Sequence, residues 1–169
     1  MKYSVITLLF FLTVGLTNST TAQKFGYVDT AEIVQSMPQV KEANANIETY
    51  RNQLQKKGQE KLKALQAKYA DLEKKQSRGD ISRVALEAEV EKLKQEETEL
   101  RKFDEESQEK IIAKSQKLLK PLTDQIQEAI DAVAAEMGYD YIFDASTGFV
   151  LYADTAADCG QLVRAKLGL

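Results

Sequence analysis

Histidine is absent from the 169-residue sequence. That removes Ser-His-Asp and Cys-His catalysis together with the commonest metal ligand. No Gly-x-x-x-x-Gly-Lys run occurs, so the chain lacks a phosphate-cradling loop of that kind. Cysteine occurs once, as Cys159, which excludes an internal disulfide. Free cysteine is usually a small buried residue, so Cys159 is expected in a core, with an intermolecular disulfide as the alternative. Acidic residues are plentiful, yet Glu96, Glu97, Glu99, Asp104, Glu105 and Glu106 spread around a helix surface. A solvated face explains them better than a catalytic carboxylate pair or a calcium loop. These absences point away from an enzyme and require no cofactor.

Proline is nearly as scarce. Only Pro38 and Pro121 occur, and the residues between them are almost all helix formers. A proline inside a helix costs about 3 kcal/mol, so this stretch is free to run as very long helix. One break interrupts it, at Arg78-Gly79-Asp80. Glycine accepts the left-handed conformation that ends a helix, and Asp80 or Ser82 suits the cap of the next. The expected product is a helical hairpin over residues 39–120. At 1.5 Å per residue, its outgoing helix projects about 60 Å, farther than a compact core can contain.

The beginning of the sequence has a different character. Lys2 precedes an apolar run, Val5 to Val14, and then a polar segment ending at Thr20-Thr21-Ala22. This order predicts a secretory leader over residues 1–22, cleaved after Ala22, with export. The apolar run is too short to span a bilayer comfortably, which weighs against the alternative of an uncleaved anchor. Cys159 lies far from the cleavage position and cannot carry a lipoprotein's lipid. Lys2 is the only charged residue removed, leaving 22 basic against 26 acidic residues, a net charge of −4. Nucleic acid is a poor partner for such a chain.

The two ends of the remaining sequence are richer in aromatics than its middle. Lys24 to Asp29 reads as a short strand, and Ala31 to Ser36 as a short helix capped by Thr30 or Asp29 and stopped at Met37-Pro38. Within the hairpin, Val40, Ile47 and Leu54, then Leu62, Leu65, Tyr69 and Leu72, recur at coiled-coil spacing. Leu86, Val90, Leu93 and Leu100 answer them on the return. Gly58, Lys61, Glu97 and Asp104 interrupt these seams, so the pairing is expected to be marginal. From Leu118 a denser stripe follows: Leu122, Ile126, Ala129, Val133 and Met137. Pro121 is expected to kink or restart the helix there. Beyond Gly138, Tyr139–Asp144 and Phe149–Tyr152 are expected to pair as a β-hairpin around Ala145-Ser146-Thr147-Gly148. A closing helix over about Gly160 to Leu167 should bury Leu162, Val163 and Leu167.

The fold class is therefore α+β and mostly helical. Residues 23–38 and 121–169 make a small β-containing body at the root of the arm. So small a core often needs oligomerisation, and a short sheet leaves edges for another subunit to cover.

Charge is segregated along the arm. Lys56, Lys57, Lys61, Lys63, Lys68, Lys74, Lys75 and Arg78 stand against Glu60, Asp71 and Glu73 within residues 56–78, whereas 81–109 carries five basic and ten acidic residues. One reading is mutual attraction between the two helices, worth a few tenths of a kcal/mol per pair. The other makes the eight cations a contact surface for acidic clients or lipid headgroups.

Taken in order, Gly26-Tyr27-Val28-Asp29, Ile33, Pro38 before a charged hairpin, Tyr141-Ile142-Phe143-Asp144 and Val150-Leu151-Tyr152 resemble the Skp/OmpH family of periplasmic chaperones. The resemblance implies a homotrimer whose bodies share a small β-barrel, with three arms around a cavity that holds unfolded outer-membrane proteins without ATP. It would place Phe25, Tyr27, Val28, Tyr141, Phe143, Phe149 and Leu151 on the barrel strands. Two departures stand out. The chain is mildly acidic where the best-known relative is strongly basic, which weighs against lipopolysaccharide or anionic-membrane binding. Asp158-Cys159-Gly160 also replaces a threonine-containing cap on the closing helix. A structural spacer or adaptor of the cell envelope is the rival function.

Overall fold

The computed structural model describes residues 22–169, so the leader assigned to residues 1–22 lies outside the described residues but for Ala22. The elements run β1 (Phe25–Val28), α1 (Thr30–Ser36), α2 (Pro38–Arg78), α3 (Arg83–Met137), β2 (Tyr141–Asp144), two 3-10 turns (Ala145–Thr147 and Thr155–Ala157) and α4 (Gly160–Leu167).

Local chemistry sets most of these boundaries. The Asp29 carboxylate accepts from the Glu32 amide and starts α1, while Pro38 occupies the first turn of α2, where its missing N–H costs nothing. Gly79 ends α2 at φ 70°, and its amide and that of Asp80 satisfy carbonyls of the last turn. Ser82 then caps α3 by accepting from the Ala85 amide. At 41 and 55 residues, α2 and α3 extend roughly 60 and 80 Å. The surplus length of α3 carries it past the root of α2 and into the body.

Of the kink or restart expected at Pro121, the restart does not occur: α3 runs through it as one helix. The ring removes only the bond to the Lys117 carbonyl. Both Pro121 and Lys117 face solvent, where water serves that carbonyl instead.

The body also departs from the expected hairpin. β2 pairs with β1, in parallel and in the register Phe25↔Tyr141 to Val28↔Asp144, and Phe149–Tyr152 forms no strand. A parallel pair needs a long crossover connection, and here the whole arm supplies it. The turn chemistry read at 145–148 is present but serves another end. Asp144 caps a 3-10 turn through the Ser146 amide, and Gly148 exits at φ 76°, directing the chain away from β2. It returns at Asp158, which bridges to Tyr27 on the other side of β1, and the Cys159 amide donates to the Tyr27 carbonyl at 2.9 Å.

One core lies at the root. Val28, Ile33, Met37, Val40, Ile126, Ala129, Val133, Cys159 and Val163 are buried together. Cys159 is fully enclosed, as its sequence context suggested, and its Sγ donates to the Tyr27 carbonyl at 3.0 Å. Val163 anchors α4, whereas Leu162 is 40% exposed and Leu167 only half-buried; the expectation that all three are buried holds for Val163 alone. Asp158 compensates for the missing threonine by accepting from the Gly160 amide at 2.8 Å. A second, thinner cluster lies far along the arm, where Leu65 and Leu72 meet Leu93.

Candidate functional site

Two surfaces remain open once the core is filled. The first is the outer face of the β1–β2 pair. Strand alternation turns Gly26 and Val28 inward and leaves Phe25, Tyr141 and Phe143 outward, each about half exposed. Their rings form a compact triangular cluster, with centroids 5.7 Å apart for Phe25–Tyr141, 6.2 Å for Phe25–Phe143 and 6.3 Å for Tyr141–Phe143. Further along the chain, Phe149, Leu151 and Tyr152 stand 90, 95 and 89% exposed. Tyr27 is half-buried, and burial, then Asp158 and Asp154, push its phenol above its ordinary range. Val28, placed with these residues by the sequence, sits instead in the subunit's own core at 1% exposure.

The strands carrying this face are held firmly. Lys24 lies over the Tyr139 ring at 4.5 Å and donates to the Met137 carbonyl at 2.7 Å, while its amide donates to Asp140 at 2.7 Å. The start of β1 is thus fastened to the end of α3. Gly26 admits the Tyr139 ring so closely that a Cβ there would lie 3.0 Å from it. At the far end of β2, burial alone would raise the Asp144 carboxyl. Hydrogen bonds from the Thr30 hydroxyl (2.7 Å), the Thr30 amide (3.3 Å) and the Ser146 amide outweigh that effect and hold it below the usual carboxylate range.

The second surface is the arm. All eight cations singled out in the sequence are exposed, but they divide by position. Lys57 and Lys61 lie over the Phe103 ring at 5.8 and 5.5 Å, and Lys68 pairs with Glu96 across the hairpin. Lys75 pairs with Asp71 one turn back on α2. Lys56, Lys63, Lys74 and Arg78 form no ion pair among the described residues. Lys68–Glu96 is the single salt bridge between α2 and α3 among those residues, so the segregated charge is mostly not consumed in joining the two helices. Halfway along, the interruptions at Gly58 and Asp104 coincide: a Cβ on Gly58 would lie 3.5 Å from both the Asp104 carboxylate and the Phe103 ring. Both Gly58 and Asp104 line a cleft of about 660 Å³ along the seam between the helices. The sequence marked the gaps but not that they face one another, and it gave no sign of Ser107, which is buried beside them.

This arrangement of a small body and a long hairpin has known counterparts. Residues 24–167 match the family model described as outer membrane protein (OmpH-like). The chain belongs to the OmpH-like family. Its fold is similar to the crystal structure of a candidate outer membrane chaperone (OmpH-like) from Caulobacter crescentus CB15. The two share 20% identity with a TM-score of 0.73, over 89% of this chain and 87% of that one. No curated protein matches the sequence. The resemblance read from the two terminal strand segments therefore holds at the level of family and fold, including the long paired helices.

Proposed function

We propose that this OmpH-like chain is a periplasmic holdase that assembles as a homotrimer and encloses unfolded outer-membrane proteins between its arms, without ATP and without a catalytic step. One observation carries this reading. A body with a two-stranded sheet exposes the clustered rings of Phe25, Tyr141 and Phe143 and, beyond β2 in the sequence, the side chains of Phe149, Leu151 and Tyr152, and from it projects an arm with no body of its own to pack on. Exposed apolar patches of that kind mark interaction sites, and the free edge of β2 offers unpaired backbone to a further strand. Phe25, Tyr27, Tyr141, Phe143, Phe149 and Leu151 are assigned to contacts between copies, with Val28 supporting them from beneath.

Within the assembly, many weak contacts along flexible arms hold a client without imposing one geometry on it, and multivalency strengthens their sum. The outer cations, Lys56, Lys63, Lys74 and Arg78 foremost, are assigned to long-range attraction of acidic clients or weakly to a membrane surface. Two measurements test the reading. The processed chain should sediment as a trimer at micromolar concentration. At near-stoichiometric trimer it should keep several unrelated urea-unfolded porin-like proteins soluble after dilution. A monomer, or aggregation as fast as in buffer alone, refutes it; the second result is what a passive spacer gives.

A further inference from the structure

We propose that the cleft at the middle of the arm, floored by Ser107, is where the backbone of an extended client segment binds. The inference rests on the holdase reading and specifies which flank of the arm the client touches. Ser107 is 7% exposed, and its Oγ is the one buried side-chain polar atom without a hydrogen-bond partner among the described residues. Other hydroxyls on the same helices are satisfied locally: Thr49 donates to the Ala45 carbonyl at 2.8 Å and Thr98 to that of Lys94 at 2.9 Å. A buried unpaired hydroxyl is costly, and Ser107 lines the cleft of about 660 Å³, so a slight parting of the side chains around it would bring a partner to its oxygen.

The lining identifies the chemistry of that partner. Gln55, Gln59 and Gln108 bring amide donors and acceptors, and Leu54 and Leu62 bring apolar surface. The two charged residues of the cleft, Arg51 and Asp104, are of opposite sign, and Arg51 already pairs with Glu48 at 3.1 Å, so the lining offers no cluster of like charge and suits a neutral occupant. On the other flank of the seam, by contrast, Lys61, Lys68, Glu96 and Glu99 line a charged groove. Toward the tip the uncharged strip continues from Leu62 to Tyr69, 44 and 40% exposed and seven residues apart, hence on one side of α2. From Gln55 to Tyr69 the strip spans about 20 Å, the length of roughly six residues of extended chain. A polypeptide backbone presents one donor and one acceptor per residue. A strand destined for an outer-membrane barrel adds apolar side chains on alternate positions. Such a segment satisfies both the amides and the leucines.

The test uses the processed full-length chain and a urea-unfolded eight-stranded outer-membrane β-barrel as probe. A photo-crosslinking residue at Gln59 or Gln108 should label the probe more strongly than one at Lys63 or Lys74 on the outer side. Ser107→Ala should make the arm more heat-resistant, since the unpaired hydroxyl is gone, while weakening capture by about fivefold, the scale of a moderate interface residue. Ser107→Thr, which restores a hydroxyl, should capture close to wild type. Equal labelling from both sides, or unchanged capture by Ser107→Ala, overturns the cleft assignment while leaving the holdase intact. Failure of the unaltered protein to hold the probe in solution overturns both.

Discussion

The root of the molecule and the middle of its arm are built from the same helices but packed to different standards. At the root, α3 brings Val133 against Val28, Ile33, Cys159 and Val163, all at most 1% exposed. Along the arm, three leucines at 4–8% exposure form the only buried apolar cluster among the described residues. Between the two, apolar burial thins to Ala43 and Ile47, and lysines lie over aromatic rings: Lys57 and Lys61 on Phe103, and Lys114 on Tyr50 at 5.6 Å. Burial of apolar area is the main driving force for packing, so cohesion falls sharply from root to arm. The lesson is a division of labour, in which a rigid base fixes where the arm starts and leaves its shaft adjustable.

The comparison is broken most severely by Val133→Asp. An unpaired charge in the root costs several kcal/mol. Thermal melts followed by circular dichroism should show loss of the cooperative transition, with oligomer mass lost in sedimentation. Leu93→Ala should be milder and local. It removes the keystone of the distal cluster, and large-to-small changes in well-packed sites cost about 2–5 kcal/mol, with the lower end expected for so thin a cluster. Hydrogen exchange should quicken across Leu65–Leu100, while oligomer mass stays that of wild type. A change in mass would show that the arm contributes to the base. Gly58→Ala sharpens the contrast from the other side. Its new methyl meets only ordinary contacts, at 3.5 Å, and replaces the costliest non-proline residue of a helix interior. Stability of the arm should rise by about 0.5–1 kcal/mol, read as slower exchange around residue 58.

How much of this was legible in the sequence depends on range. The arm was, because its signals are local: an absence of proline, a Gly79 suited to the left-handed turn, and Ser82 as a cap. Cys159 and the bounds of α4 were legible for the same reason. The pairing of β2 was not. Asp144 and Gly148 do make a tight turn, but that turn says nothing about which strand lies alongside. The partner came from the opposite end of the chain. The restart expected at Pro121 did not occur, because the cost of a proline depends on whether solvent reaches the orphaned carbonyl, a property of the fold. The candidate surfaces follow the same rule. Individual aromatics, lysines and seam gaps could be picked out, whereas the cluster of stacked rings, the meeting of Gly58 with Asp104 and the enclosure of Ser107 arise only when distant residues come together.

The register Phe25↔Tyr141 has a consequence for the order of events in folding. A chain emerging amino terminus first presents β1 long before its partner exists. The turn at Gly79 closes a short loop and the arm can zip from there at once, but the sheet must wait for β2, and Val163 arrives later still. Contacts of such wide sequence separation form late. The loosest part of the molecule is therefore made first and the tightest last. An unfinished chain lacking Tyr141–Leu167 would own an arm but no seat for it, and only a completed chain acquires the surface by which copies recognise one another.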